Sequence, residues 1–297
     1  MLKGLVITPP VIGRISIGRV VERNGKRMPE KDDQFTLTSQ VQSRDGWLLH
    51  PLDESLRKAT GDKLRSIPVQ MMFNDPTLNL RADYSLFDRT TGRPVCVGNG
   101  ESCKRSGAEG MAALPCPSPD GCTFAKGDCK AYARLNVVIG EEDTLGSFVL
   151  RTTSYNTIRT LAARLQYFQA VSGGLLACMP LELKLRGKST TMSFRSTIFY
   201  VDLVVRSGMT LEEAIIEAKQ LDASRRASGF DQDALDEAAR KGFANGAFED
   251  LAEDVPAVVE EFFPEDRHVD MREKSSNEPP TSLKGRLEEK AARLGAT

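Results

Sequence analysis

Short apolar runs, either alternating or continuous, fill the chain as far as about residue 95. Runs of this length, bounded by Gly, Pro, Asn and Asp, are typical of β-strands. The predicted strands are LVITPPVIGRISIGRVV, FTLTSQV, WLLH, SIPVQMMF, ADYSLFD and PVCVG. Asn24-Gly25 marks a hairpin corner or part of a longer loop. This part of the chain is therefore predicted to be mostly β.

The hydrophobic period changes after residue 153. ARLNVVIG and GSFVLRTT precede the change as strands, and LELKLRG and STIFYVDLVV follow it. Between them Ser154 is the expected N-cap of a helix and Gly173-Gly174 its stop. The apolar positions at helical spacing are Ile158, Leu161, Ala162, Leu165 and Phe168. The pattern predicts an α+β fold, with a largely antiparallel β body over residues 1–206 and one amphipathic helix packed on it.

Helical patterns continue from Thr210 to residue 263. Thr210 and Glu213 form a capping box ahead of an apolar stripe, and DQDALDEAARKGF and VPAVVEEFF predict shorter helices. We therefore expect a helical, acidic extension over residues 207–263. Residues 264–282 are polar and contain prolines, which is typical of a flexible linker. Residues 283–297 predict a short terminal helix.

Charge is divided unevenly along the chain, although the net charge is only -1. Residues 1–206 carry 28 Lys and Arg against 20 Asp and Glu, whereas residues 207–297 carry 12 against 21. A basic body favours nucleic acid or an acidic protein surface as a partner, and an acidic tail can mask that face or repel DNA. Solvated surface charge of uneven distribution accounts for the same counts.

Length and termini limit the class of protein. A chain of 297 residues can bury about three quarters of its unfolded surface, enough for one sizeable core or two moderate ones. MLKGLVITPPVIG lacks the long apolar stretch of a signal peptide, and no apolar run reaches the roughly 20 residues that span a bilayer. We expect a cytoplasmic protein without membrane contact, in a reducing compartment where clustered cysteines favour metal over disulfides.

Five of the six cysteines lie within about residues 96–130. They are Cys96, Cys103, Cys116, Cys122 and Cys129. Short spacings inside Pro/Gly turns bring thiolates together, and four sulfurs suit tetrahedral zinc. Gly98-Asn99-Gly100 is expected to be a tight turn that swings Cys96 towards the other cysteines. The spacings differ from the close CxxC pairs of common zinc ribbons, but a structural zinc in a Cys-rich loop is predicted. Buried small side chains and, in a secreted chain, disulfides are the alternatives.

Residues suited to catalysis are few. Catalytic metal sites usually mix His with carboxylates, but the chain has only two histidines and no HExxH motif. His50 is interpreted as a satisfied strand-end side chain and His268 as a solvated linker residue. Cys178, in the apolar LLACMP, is interpreted as a core thiol rather than a nucleophile. GRISIGR, from Gly13, lacks the Lys-Ser/Thr of a phosphate loop. No catalytic residue is assigned, and a zinc hydrolase of the familiar kinds is not expected.

Two features could contact phosphate. The polar run from Arg151 to Asn156 lies at a predicted helix N-terminus, where backbone N–H groups bind anions, although capping by Ser154 alone is favoured. A hairpin predicted at residues 187–191 has an exposed tip that could touch phosphate or only keep an edge strand soluble. Its flanking basic residues are Lys184, Arg186, Lys188 and Arg195.

Four stretches, taken in order, resemble the phage recombination directionality factor-like family, which is associated with large serine integrases. They are VCVGNG at 95–100, LPCPSPDGC at 114–122, CKAYARLNV at 129–137 and FVLRTTSYNTIRTL at 148–161. The resemblance covers roughly residues 1–206. It implies a zinc held by Cys96, Cys116, Cys122 and Cys129, which favours Cys96 over Cys103 as the fourth ligand. Cys103 departs from the family pattern.

The resemblance also implies a non-enzymatic function. A member of this family binds a serine integrase on its DNA sites and reverses its preference, so that excision replaces integration. A second hypothesis is a DNA-binding accessory protein for phage or plasmid replication or recombination, which would use the basic body directly. A metal-dependent hydrolase is the third.

Overall fold

The β-type runs of the sequence pair into two sheets. A computed structural model describes residues 10–23, 26–43, 46–61, 63–107, 110–140, 146–189, 197–242 and 262. The larger sheet has nine strands in the order β3-β2-β1-β10-β9-β5-β6-β7-β8. These strands are β1 (Val11–Arg23), β2 (Lys26–Ser43), β3 (Gly46–Leu49), β5 (Leu80–Phe87), β6 (Pro94–Gly98), β7 (Ser102–Gly107), β8 (Gly110–Pro115), β9 (Lys130–Val137) and β10 (Ser147–Thr152).

A smaller sheet has three antiparallel strands in the order β12-β11-β4. They are β4 (Ser66–Val69), β11 (Leu181–Ser189) and β12 (Thr197–Val205). β12 was predicted to be buried on both faces, but burial is confined to Val201, Asp202 and Leu203 at its centre. The strand is therefore partly exposed at both ends.

Antiparallel pairing dominates, as the sequence predicts. Among the described strands, β1 and β10 are the one parallel pair, with Ile15 opposite Leu150. The β1 and β2 ladder ends at Arg23 opposite Lys26, and the predicted corner Asn24-Gly25 lies outside the described residues. The prediction of a mixed α+β fold with largely antiparallel strands is confirmed.

Helices lie at intervals between and after the strands. They are α1 (Pro51–Thr60), α2 (Pro76–Asn79), α3 (Ser118–Gly121), α4 (Tyr155–Val171), a 3-10 turn (Leu176–Cys178), α5 (Leu211–Ala227) and α6 (Gln232–Gly242). The helix predicted after Ser154 is α4, and the capping box at Thr210 begins α5. The expectation of one helix on the body was wrong, because α1 also packs there through Leu52 and Leu56.

α1 is fixed to β2 by a buried carboxylate. Asp53, 2% exposed, accepts a hydrogen bond from the backbone N–H of Leu37 at 2.8 Å and pairs with Arg57 at 2.6 Å. Pro51 at the first turn and acidic Asp53 and Glu54 are the sequence signals that favour a helix here.

One hydrophobic core joins both sheets and the main helices. α4 contributes Ile158, Leu161, Leu165 and Phe168, which are the positions predicted from helical spacing. α5 contributes Ala214 and Ala218, both 0% exposed. The small alanine side chains let α5 lie close to the core, and the start of the acidic extension is thus packed against the body.

The chain divides into one compact unit over residues 1–262 and a second over residues 263–297. The predicted linker at 264–282 and terminal helix at 283–297 lie outside the described residues, as does all of VPAVVEEFF except Phe262. The boundary predicted at residue 206 and those that follow it stay predictions.

Candidate functional site

The cysteine-rich segment is more ordered than the predicted loop. Cys96 lies on β6 and Cys103 on the neighbouring β7, where Cys103 is opposite Gly98. β7 continues into the antiparallel partner β8, so residues 102–115 form a hairpin that ends the larger sheet. Cys116 follows β8, Cys122 ends the short helix α3, and Cys129 directly precedes β9. The segment therefore starts and ends on strands of one sheet.

Gly98 and the turn after it bring the first cysteines together. The side-chain oxygen of Asn99 accepts hydrogen bonds from the backbone nitrogens of Glu101 and Ser102, each at 2.9 Å. A Cβ on Gly98 would lie 2.6 Å from the Cβ of Cys103 and 3.0 Å from the sulfur of Cys116. Only glycine therefore fits at this position. The prediction of a tight turn at residues 98–100 is confirmed.

The thiols lie close enough to influence one another. Burial first, and the neighbouring sulfurs of Cys96 and Cys116, raise the pKa of Cys103 to about 11. Burial, followed by four neighbouring cysteines, raises the pKa of Cys129 to about 12. Among these neighbours Cys122 raises the pKa of Cys129 most, followed in order by Cys96, Cys116 and Cys103. All five thiols thus share one electrostatic environment.

The donor chemistry suits zinc, but a ligand set is not formed by the side chains as they lie. Within the described residues, no group of three or more His, Cys, Asp or Glu side chains is placed to hold a metal ion. A thiol loses its proton when it ligates zinc, so zinc binding at Cys129, whose pKa is raised by burial, would release a proton. The Cys-rich zinc loop is thus seen as a cluster of thiols, and zinc and its ligand set stay predictions.

Exposed apolar side chains lie on and near β8, beside the cluster, and the sequence analysis missed them. All six residues of β8 are exposed, among them Met111 (53%) and Leu114 (38%). The guanidinium of Arg105 lies 3.8 Å from the ring centroid of Phe124, which is itself 45% exposed. Apolar and polar residues do not alternate along a strand that is exposed throughout, so β8 lacks the usual strand pattern. Its apolar composition, GMAALP, was the one signal in the sequence that could have indicated it.

His50, the histidine that the structure describes, caps a helix. The ring nitrogen Nδ1 of His50 accepts a hydrogen bond from the backbone N–H of Leu52 at 3.2 Å and caps α1. Its ring meets Phe148 edge-on at 4.9 Å, and burial lowers the pKa of His50. The interpretation of His50 as a satisfied side chain is confirmed. His268 lies outside the described residues.

Cys178 is a core thiol, as predicted. It is 3% exposed, and burial raises the pKa of its thiol. Arg225 lies 3.6 Å from the sulfur, but its charge does not overcome the effect of burial. A thiol that stays protonated is a poor nucleophile.

The first possible phosphate contact is used within the fold, and the second is used in part, since Lys188 is exposed on β11. Ser154 accepts the backbone N–H of Thr157 at 3.4 Å, so the capping interpretation of the polar run is confirmed, and Arg151 is only 7% exposed. Arg186 pairs with the buried Asp202 at 3.3 Å and Lys184 with Glu182 at 3.4 Å. The predicted turn at 187–191 was misplaced, since β11 runs to Ser189; residues 190–196, including Arg195, lie outside the described part.

Comparison with known proteins gives one result. Residues 12–206 match the family model described as Gp3-like: Recombination directionality factor-like. No curated protein and no solved structure gives a significant match. In the described part of the chain, every helix is too short or too polar to cross a bilayer. The matched segment runs from β1 to the end of β12 and so includes both sheets and all five clustered cysteines.

Proposed function

The chain belongs to the recombination directionality factor-like family, and we propose that it is a non-enzymatic phage or mobile-element protein that binds a serine integrase on DNA and favours excision over integration. The family match over residues 12–206 carries this proposal. Such a factor needs only a different affinity for two arrangements of the integrase and its DNA. A difference of about 3 kcal/mol shifts their ratio by more than a hundredfold.

The exposed apolar side chains support a protein partner. Leu114, opposite Cys103, and Phe124, in contact with Arg105, lie in water beside the cysteine cluster, and Met111 is exposed further along β8. Protein interfaces bury such side chains at their centres, whereas DNA interfaces are dominated by positive charge. Of the three basic side chains of β11 that could have contacted phosphate, Lys184 and Arg186 are paired with acids, and Lys188 is exposed.

A structural zinc is part of the proposal. Cys96, Cys116, Cys122 and Cys129 would hold it, and Cys103 would be the spare thiol. This set is the one that the family resemblance implies. Zinc bound there would offset part of the thiolate charge and cross-link β6, the segment around α3 and the start of β9. The cysteines would act only as ligands, and the rigid end of the sheet would present the contact surface.

The proposal is tested by recombination with the integrase of the same genetic element. Purified protein should raise excision and lower integration by that integrase. Met111→Glu should weaken both effects, because it charges the exposed strand β8. Ile216→Glu is the matched control, since Ile216 is a similarly exposed (56%) apolar residue on α5. An unchanged ratio of the two reactions over a full protein titration would reject the proposal.

The salt dependence of DNA binding distinguishes the proposed role from that of an accessory DNA-binding protein. Direct DNA binding weakens steeply with salt, because each phosphate contact releases about one counterion. A factor that acts through the integrase should show little DNA affinity when the integrase is left out. Strong, salt-sensitive DNA binding by the protein alone would favour the alternative.

A further inference from the structure

The strand β8 lies at one end of the larger sheet, where β7 is its one neighbour among the described strands. All six of its residues are exposed, and none of them is charged. Natural edge strands are usually protected by charged side chains, by a bulge or by a covering segment, because their outer N–H and C=O groups can pair with another chain. The proline that ends β8 is the one such protection in its sequence.

Hydrogen bonds at the base of the hairpin show which residues of β8 face outwards. The backbone N–H of Cys116 donates to the oxygen of Glu101 at 2.9 Å, so residue 116 directs its backbone groups towards the β7 side. Alternate residues of an antiparallel strand direct these groups to opposite sides. The even-numbered residues of β8 therefore bond to β7, whereas Met111, Ala113 and Pro115 face away from the sheet.

Two residues supply the free part of this edge. Pro115 has no N–H, and its backbone oxygen accepts the thiol of Cys103 at 3.7 Å. The N–H and C=O groups of Met111 and Ala113 remain, and no residue that the structure describes bonds to them. The free edge is thus short and closely defined.

The strand β12, at the edge of the smaller sheet, shows a protected edge in the same protein. The backbone N–H of Val201 donates to the hydroxyl of Thr157 on α4 at 3.2 Å. The backbone N–H of Leu203 donates to the carboxylate of Asp202 at 3.0 Å. Within the described part of the chain, β8 has no side-chain acceptor of this kind, so its outer groups are open to another strand.

A second copy of β8 fits this edge in one antiparallel register. With Met111 opposite Ala113 of the second copy, and Ala113 opposite its Met111, every free N–H meets a free C=O. A register that places Ala113 opposite itself would bring Met111 to Pro115, which lacks an N–H. A register that places Met111 opposite itself would bring Ala113 to residue 109, beyond the end of the strand.

The side chains complement one another in the same register. Ala112 would lie on the two-fold axis opposite itself, as a symmetric pair requires. Met111 would lie opposite Ala113, and Leu114 opposite Gly110. Each larger side chain therefore meets a small one, and no charge on β8 opposes the pairing.

We propose that β8 is the contact through which two copies of this chain pair about a two-fold axis, joining their larger sheets edge to edge. The inference does not depend on the proposed role in recombination. The new hydrogen bonds lie in the plane of the sheet, so both faces of β8 stay open to a further partner. One pair of strands is a small contact, and the dimer should therefore dissociate in the micromolar range.

Sedimentation velocity of the full-length chain tests this inference over a micromolar dilution series in reducing buffer. The wild-type chain should pass from monomer to dimer as its concentration rises. Ala113→Pro should weaken dimerisation at least about tenfold, because it removes an outward N–H and leaves the ladder with β7 intact. Ala113→Ser keeps the N–H and a similar volume, so it should dimerise as the wild type does.

A charge exchange at the axis tests the register. Ala112→Lys should abolish dimerisation, since two ammonium groups would stand directly opposite each other. Ala112→Glu should weaken it less, because Arg105 lies opposite residue 112 on β7. An equal mixture of the two variants should dimerise more tightly than either alone. Ile216→Lys and Ile216→Glu, at an exposed position on α5, are the controls and should each dimerise as the wild type does.

Hydrogen exchange of the wild-type chain covers the case in which Ala113→Pro fails to fold. Exchange of the Met111 and Ala113 amides should slow as the chain dimerises. A wild-type chain that stays monomeric, a dimer that survives Ala113→Pro, or Ala112 variants that pair no better when mixed would overturn the inference. If the wild type is monomeric and Ala113→Pro abolishes binding to the integrase, β8 takes a strand of the integrase; that result also overturns the inference but leaves the proposed function standing.

Discussion

The carboxylate of Asp236 lies 3.0 Å from the backbone nitrogen of Asn74, which stands 162 residues earlier in the chain. The same Oδ2 accepts a second hydrogen bond, from the backbone N–H of Asp75 at 3.1 Å. Gln232, one turn earlier on α6, bonds both Asp236 and the backbone oxygen of Met72. This buried polar group joins the last described helix to the segment after β4.

Asp236→Ala should lower the free energy of unfolding by about 1–3 kcal/mol, because two backbone N–H groups lose their acceptor. Asp236→Asn should be milder, since burial raises the pKa of Asp236 and a neutral amide oxygen can still accept both bonds. Asp233→Ala, exposed on the same helix, is the control and should change stability by less than about 0.5 kcal/mol. Urea unfolding measures all three, and an unaffected Asp236→Ala chain would show that this contact does not hold α6.

His50 should make stability depend on pH. Burial lowers the pKa of His50 below its usual 6.5, so the unfolded chain takes up a proton more readily than the folded chain. The stabilising contribution is complete above pH 6.5 and is lost as the pH falls towards the lowered folded value. His50→Asn keeps an N-cap acceptor without titrating, so its stability relative to the wild type should rise between about pH 7 and pH 5. Urea unfolding across this range measures the difference, and His268→Asn should not show it.

Zinc should be present at close to one ion per chain. Cys122→Ser should lose the ion and the cooperativity of unfolding, whereas Cys103→Ser should keep both, because Cys103 is outside the proposed ligand set. Elemental analysis and thermal melting measure the two effects. Melting that is the same with and without metal would argue against a structural ion.

Gly98→Ala should loosen the cysteine cluster. The new Cβ would meet the Cβ of Cys103 at 2.6 Å and the backbone oxygen of Ser102 at 2.8 Å, so the turn must shift. We expect a loss of about 1–3 kcal/mol in stability, as for other overpacked sites, together with weaker zinc retention. Gly107→Ala on the same hairpin is the control, because its nearest neighbour would lie at an ordinary 3.8 Å. Equal melting temperatures for the two variants would contradict the close packing at Gly98.

Deletion of residues 264–297 should leave the body folded. The predicted linker begins at residue 264, and the deletion retains Phe262 and its contacts with Phe87 and Tyr132. The melting temperature should therefore stay within a few degrees of the full-length value. A large fall would place the boundary further along the chain.

Local signals explain which elements were predictable. α4 and α5 were found from a cap and a helical stripe, Ser154 and Thr210 being the observed N-caps. α1 carries Pro51 and two acids in its first turn but shows only two apolar core positions, so its stripe was too sparse to recognise. The hairpin of β7 and β8 has little alternation, because β8 is exposed throughout.

Long-range relationships could not be predicted from the sequence. The proximity of the five cysteines followed from their spacing, but their geometry depends on β6, β7 and the start of β9 meeting in one sheet. The contact of Phe262 with Phe87 spans most of the chain, and no local pattern indicates it. Such contacts are decided by packing rather than by propensity.

The parallel pairing of β1 with β10 has a consequence for synthesis on the ribosome. β1 emerges early, but one of its two edges stays open until residues 147–152 have been translated. At about 5–20 residues per second, the chain between Ser43, where β2 ends, and Ser147 takes roughly 5 to 21 s to make. During that interval the hairpin of β1 and β2 offers an unpaired strand edge to other chains, and covering that edge is a task for a chaperone.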